Sequence, residues 1–148
     1  MSQVETKPRA VAATDGRVED IMTRDVRTVH PKLITMQATK MMAQFGIRHL
    51  IVREDGARLL GVVSQRDLLK HIARCFSEER PPARTEVNEY MATALITVKP
   101  NLKITEAACL MRDKKVGCLP VVNAAGELVG IVTRSDILRY VGSHGDGL

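Results

Sequence analysis

The sequence predicts an α/β fold of the mixed α+β kind: two βαββα-type motifs with small mixed sheets, packed as a pseudo-two-fold pair. Three observations predict it. The chain repeats itself: shifted by 69 residues, it aligns on itself without a gap from Val18 to Leu69, with identities such as Met22/Met91, Pro31/Pro100, Ala38/Ala107, Leu50/Leu119, Gly61/Gly130 and Asp67/Asp136. The stretch Gly61–Asp67 (Gly-Val-Val-Ser-Gln-Arg-Asp) returns as Gly130–Asp136 (Gly-Ile-Val-Thr-Arg-Ser-Asp), each reading as a strand that enters a helix through Ser/Thr-x-x-Asp. Finally, a single unit of roughly 55 residues has a marginal core, so a second copy must cover its apolar face. A long period with only two copies points to a closed pair rather than a solenoid.

Taken in order, residues 1–16 are polar, contain Pro8 and lack periodicity, and read as a flexible leader. The first motif spans 17–76. It opens with a helical turn, Val18–Met22, with Asp20 favourable near its start. Arg27–Val29 is a short strand closed by Pro31. Thr35–Phe45 is an amphipathic helix with Ala38, Met41, Met42 and Phe45 on one face, and Gly46 at its C-cap. Arg48–Arg53 and Leu59–Val63 form a hairpin around Gly56. Ser64 then caps a helix over Gln65–Cys75 that carries Leu68, Leu69 and Ile72 inward. Residues 77–85 are charged, contain Pro81-Pro82 and read as an exposed linker. The second motif, 86–141, repeats the order: turn Val87–Met91, strand Ile96–Val98, helix Ile104–Lys114, strand Cys118–Val122, turn at Gly126, strand Leu128–Val132, and a helix from Thr133 to Val141. Residues 142–148 are a Gly-rich flexible tail.

Composition narrows the class. The chain is 148 residues with 45% hydrophobic and 26% charged residues, which is ordinary for a globular protein and not for a disordered one. Aromatics are 3% with no Trp, so Met, Val, Leu and Ile fill the core, and base-stacking platforms for single-stranded nucleic acid are missing. The net charge of +5 is spread among mixed clusters such as Arg112-Asp113-Lys114-Lys115, with no basic run for a nucleic-acid polymer. An anionic small ligand suits that charge as well as a polymer does. Cys75, Cys109 and Cys118 are odd in number, lack Cys-x-x-Cys spacing and read as core cysteines of a cytoplasmic protein. No signal region and no stretch of ~18 apolar residues is present, so no membrane association is expected.

Two chemistries fit the repeated corner. A hydroxyl and a carboxylate beside free helix-start amides can hold a hydroxylated, anionic small molecule, the carboxylate accepting two charge-assisted bonds from a vicinal diol. The same residues can also be a capping box, in which Asp67 and Asp136 only close their own helices. Arg66 and Arg134 are either phosphate clamps or parts of a solvated helix face. His30, His71 and His144 read as surface residues, and Met36, Met41, Met42, Met91 and Met111 as core fill. No His/Cys/Asp/Glu set has metal-ligand spacing. Nucleophile elbow, Walker loop, His-Glu-x-x-His and paired acid and base are all missing, so no enzyme is expected.

The order of elements carries a family resemblance. Met22-Thr23 with Thr28-Val29-x-Pro31, then Met91-Ala92-Thr93 with Thr97-Val98-x-Pro100, Leu119-Pro120-Val121-Val122 and the two Ser/Thr-x-x-Asp corners resemble the CBS domain, named after cystathionine β-synthase. The resemblance runs from Val18 to Tyr140 and implies a stand-alone tandem pair, a homodimer through the long helices, and a regulatory role. It implies an adenosine-containing ligand (AMP, ADP or ATP, or else NAD or S-adenosylmethionine) sensed in one or both clefts, no required cofactor, and an unidentified regulated protein as partner. By that resemblance one cleft joins Asp25, Val26, Arg27, Ile47, Arg48 and His49 to Thr133, Arg134, Ser135 and Asp136. The other joins Ala94, Leu95, Ile96, Val116, Gly117 and Cys118 to Ser64, Gln65, Arg66 and Asp67. Ile51 stands where the second copy has Pro120, and Arg48-His49 where it has Gly117-Cys118, so the first cleft is the more basic and better suited to a charged phosphate tail. The competing expectation is a structural dimerisation module with empty clefts.

Overall fold

A computed structural model describes residues 16–55 and 58–144. Most of the leader, the Gly56 turn and the end of the tail lie outside the described residues. The elements are α1 (Val18–Ile21), β1 (Thr28–Val29), α2 (Thr35–Phe45), β2 (His49–Arg53), β3 (Leu59–Ser64), α3 (Gln65–Ser77), a 3-10 turn Val87–Glu89, α4 (Ile104–Lys114), β4 (Cys118–Val122), β5 (Leu128–Thr133) and α5 (Arg134–His144). The result is a mixed α+β fold.

The chain divides into two compact units. One is Arg27–Leu95, built on β1–β3; the other joins the described residues up to Val26 to those from Ile96 onward, and is built on β4 and β5. In the β1–β3 unit the sheet order is β1-β2-β3, with β1 parallel to β2 and β2 antiparallel to β3. The parallel pair needs a crossover, which α2 supplies. Its core gathers Val29, Ala38, Met42, Leu50, Val52, Val63, Leu68 and Val87. In the β4–β5 unit the corresponding core is Val18, Met22, Val98, Ile104, Ala107, Met111, Leu119, Val121, Val132 and Ile137.

The internal repeat is geometric as well as sequential. Leu50 pairs with Val63 and Val52 with Gly61; Leu119 pairs with Val132 and Val121 with Gly130; each hairpin has its bulge at the same step. One difference has a clear cause. The strand expected at Ile96–Val98 shrinks to a single parallel bridge, Val98 with Val121. In the first sheet Thr28 pairs with Ile51. The equivalent partner of Thr97 is Pro120, which has no N–H to donate, so the strand stops.

Each copy's lead segment packs with the other copy's sheet. Val18 N–H donates to Leu102 O (2.8 Å), Ile104 N–H to Gly16 O (2.9 Å), and Thr23 and Ile131 exchange two bonds (2.9 and 3.0 Å). The β1–β3 unit repeats this: Val87 N–H to Leu33 O (2.9 Å), Thr35 N–H to Thr85 O (2.7 Å), and Val62 with Ala92 (3.0 and 2.9 Å). Asp20 and Glu89, at equivalent positions, both reach back to accept the amide three residues earlier, from Arg17 (2.8 Å) and Glu86 (3.1 Å).

Several sequence expectations are corrected by the helix phases. On α3 the buried residues are Leu68, His71 and Cys75, spaced by three and four; Leu69 is one step off that face and is 67% exposed. His71 is therefore core rather than surface, with 5% exposure. On α2, Phe45 is exposed beneath the Arg27 guanidinium, whose Cζ stands 3.8 Å from the ring centroid, a cation–π contact. Met36 is exposed too. The linker ends in a buried residue, Thr85.

Helix α2 ends at Gly46 in the left-handed region (φ 61°), where no atom lies within 4 Å of an added Cβ. Helix α4 ends in the same way at Lys115 (φ 57°), a residue with a Cβ. A side chain there costs about 1 kcal/mol. Lys115→Gly is expected to raise stability by about that amount in urea denaturation, and Gly46→Ala to lower it similarly. A lowered midpoint for Lys115→Gly would contradict the backbone argument.

Candidate functional site

The two corners are built alike. β3 ends at Ser64 and α3 starts at Gln65. Ser64 Oγ accepts the Asp67 N–H (3.0 Å), and the Ser64 N–H donates to Asp67 Oδ2 (3.3 Å), a capping box. The Gln65 N–H donates to Arg48 O (2.8 Å), and His49 pairs with Ser64, so the start of β2 stands at this corner. Arg48, Gln65 and Arg66 are exposed, while Ile47, His49 and Asp67 are half-buried. Of the two Asp67 oxygens, only Oδ2 is engaged among the described residues.

At the other corner β5 ends at Thr133 and α5 starts at Arg134. Asp136 is 7% exposed. Its Oδ2 accepts the Thr133 N–H (2.8 Å) and the Thr133 hydroxyl (3.1 Å), and its Oδ1 accepts Arg139 Nη1 (3.2 Å). Both oxygens are thus engaged. The Arg134 N–H donates to Gly117 O (3.1 Å), and Cys118 pairs with Thr133. Burial pushes the Cys118 thiol up to about 12, the Arg134 guanidinium pulling weakly the other way, so this thiol is a neutral wall and not a nucleophile.

The units divide the expected site residues in a definite way. Arg27, Ile47, Arg48, His49, Ser64, Gln65, Arg66, Asp67, Ala94 and Leu95 belong to the β1–β3 unit. Asp25, Val26, Ile96, Val116, Gly117, Cys118, Thr133, Arg134, Ser135 and Asp136 belong to the β4–β5 unit. Within each unit the start of the hairpin and the Ser/Thr-x-x-Asp corner, assigned to different clefts by sequence, meet at one end of the hairpin. Arg27 is committed to Phe45. The sequence reading missed Arg139, although an Arg three residues after Asp136 on a helix is a visible signal. It also missed a buried polar set around His71.

What the corners offer chemically is a hydroxyl, a carboxylate and helix-start amides, twice. The first carboxylate keeps an oxygen open among the described residues; the second is fully bonded within its own unit.

Comparison with known proteins bears on this arrangement. The CBS domain family profile matches residues 18–74 and again 87–143. An inosine-5′-monophosphate dehydrogenase of Korarchaeum cryptofilum is 36% identical over 128 residues, covering 86% of this chain and 25% of that protein. The chain spans from about a quarter to 61% of the length of the first curated relatives it matches. Among solved structures, a CBS domain pair in complex with 5′-methylthioadenosine and S-adenosyl-L-methionine superposes with a TM-score of 0.75 at 26% identity, covering 86% of this chain and 97% of that one. CBSX2 in complex with AMP gives a TM-score of 0.69 at 28% identity, over 86% and 96% of the respective chains. Among the described residues, no helix is long and apolar enough to cross a membrane.

Proposed function

The chain belongs to the CBS domain family and carries two of its motifs in tandem, and on that premise we propose that it is a non-catalytic regulatory module for an adenosine-containing ligand. The ligand (AMP, ADP or ATP, with NAD and S-adenosylmethionine as further candidates) binds at one or both of the hydroxyl–carboxylate corners. Its binding signals to a regulated protein in the cytoplasm. The observation that carries this reading is the repeated hydroxyl–carboxylate corner at the start of α3 and of α5. The solved relatives with AMP and with S-adenosyl-L-methionine support the ligand class.

The bonding of the two carboxylates ranks the corners. A ribose diol needs carboxylate oxygens that accept without leaving other donors unpaired. Asp67 meets that need at once; Asp136 must first release Thr133 or Arg139. The Asp67 corner is therefore the first to fill. Signalling further requires that the ligand bind one conformation better than another, since equal affinity shifts nothing.

Calorimetric titration with AMP, ADP, ATP, NAD and S-adenosylmethionine tests the reading. Saturable heat with at least one is expected, with a melting temperature raised by roughly 5–10 °C at a hundredfold excess over Kd. Absence of both with all five would remove the ligand reading. A second reading, a dimerisation module with empty clefts, draws on different observations. Both carboxylates already serve as caps, and Leu69 and Leu138, equivalent in the repeat, are 67% and 70% exposed. It requires a homodimer whose melting is indifferent to every one of these ligands.

A further inference from the structure

The β1–β3 unit encloses hydrogen-bonding side chains that no ligand reading uses. Thr35, His71 and Thr85 are buried at 2%, 5% and 7% exposure, together with Cys75 and the half-buried Tyr90. His71 Nε2 lies 2.8 Å from Thr85 Oγ1 and 3.4 Å from Cys75 Sγ. The imidazole stacks on the Tyr90 ring with centroids 4.1 Å apart. Thr35 Oγ1 lies 2.7 Å from Thr85 Oγ1 and 2.9 Å from the Tyr90 hydroxyl. The set ties α2 and α3 to the end of the linker and to the residue after the 3-10 turn.

The Thr85 hydroxyl stands 2.6 Å from Pro82 O and the Thr35 hydroxyl 3.0 Å from Thr85 O. With the Thr85 proton given to Pro82 O, its lone pairs face Thr35 and His71, the arrangement in which a neutral imidazole donates through Nε2–H. A second proton would go to Nδ1, which has no hydrogen-bond acceptor among the described residues.

The other unit fills the equivalent positions with different residues. The five equivalent positions are Gly16, Ile21, Ile104, Tyr140 and His144. The same backbone bonds form there, Ile104 N–H to Gly16 O (2.9 Å) and Val18 N–H to Leu102 O (2.8 Å). The position of His71 is filled by Tyr140, and the histidine of that unit, His144, is exposed. Five positions in one neighbourhood thus differ together between copies that otherwise fold alike, and only one copy buries an imidazole.

We infer that His71 is a pH-sensitive clasp: neutral, it holds residues 82–92 on the β1–β3 unit, and protonated, it releases them. This goes beyond the ligand reading and does not depend on it. Burial lowers the His71 pKa from its ordinary 6.5; Glu89 and Glu78 oppose that shift, while Arg80 and Arg74 add to it. Tyr90, stacked on the ring, is pushed up by burial and stays neutral; Cys75, the remaining titratable neighbour, lies on the same helix. Because the folded pKa is depressed, the unfolded or opened state binds more protons below pH 6.5. The clasp's contribution is therefore present above that pH and is lost as pH falls through and below it.

Amide hydrogen exchange by NMR at pH 7.5 and 5.5, corrected for the intrinsic rate, tests the clasp. The amides of Thr35, Val87, Asn88 and Ala92 are expected to lose protection by up to about tenfold at pH 5.5. Their repeat equivalents Ile104, Val18, Glu19 and Thr23 are expected to keep it. His71→Gln, which retains a donor toward Thr85, is expected to abolish the response. Equal loss in both sets, no loss in the first set, or a response that survives His71→Gln overturns the proposal. Should the variant not fold, titration of the wild-type His71 imidazole decides: a midpoint below 6.5 supports the clasp, and one at or above 6.5 rejects it.

Discussion

Gly61→Ala is expected to cost about 3 kcal/mol of stability, and Gly130→Ala about half of that, although the two glycines are equivalent in the repeat. A Cβ at Gly61 would lie 2.6 Å from the backbone carbonyl oxygen of Ala92. That oxygen accepts the Val62 N–H at 3.0 Å, and the Ala92 N–H returns a bond of 2.9 Å, so it cannot retreat without breaking the bridge. A Cβ at Gly130 would instead meet Met22 Sδ at 2.5 Å and Cγ at 2.9 Å, with the Thr23 carbonyl oxygen at 3.1 Å. The end of a methionine side chain can swing to another rotamer at modest cost. Urea denaturation reads both values. Equal costs, or a Gly61→Ala cost below 1 kcal/mol, would show that the lead segments yield where the bonding pattern says they are fixed.

The same contacts explain what was legible in the sequence and what was not. The repeat, the corners and the hairpins are local patterns: a short apolar run at Leu50–Val52, a Gly in each second strand, a hydroxyl three residues before an Asp. Local patterns survive in one dimension. The pairing of Thr23 with Ile131, and of Ala92 with Val62, joins segments far apart in the chain and leaves no local periodicity. Met22 over Gly130 and Met91 over Gly61 are legible only afterwards, as a Met and a Gly that recur together in the repeat. Leu69 was read inward because the apolar stripe of α3 is wider than its buried face; the phase is set by Leu68, His71 and Cys75, and a histidine in that series hides it. Pro120 was visible as a departure from Ile51, but its consequence, a strand cut to one bridge, needed the partner strand to be in place.

The two corner aspartates are expected to separate stability from binding. Asp136→Ala removes the acceptor of the Thr133 N–H in a nearly buried position and frees Arg139, and is expected to cost about 2 kcal/mol. Asp67→Ala removes one long bond of 3.3 Å at a half-exposed cap and is expected to cost about 1 kcal/mol or less. Replacement by Asn keeps an acceptor for the cap while removing the charge that favours a diol. Asp67→Asn is therefore expected to weaken the calorimetric affinity for AMP by roughly tenfold or more at nearly unchanged melting temperature. Asp136→Asn is expected to disturb AMP less, because the wild-type carboxylate there is already committed to Thr133 and Arg139. A reversed order would put the ligand at the later corner, beside Arg134 and Ser135, and would mean that ligand binding pulls Asp136 out of its cap. Indifference of AMP affinity to both changes would leave each carboxylate with the one role its bonds already fulfil, closing its own helix.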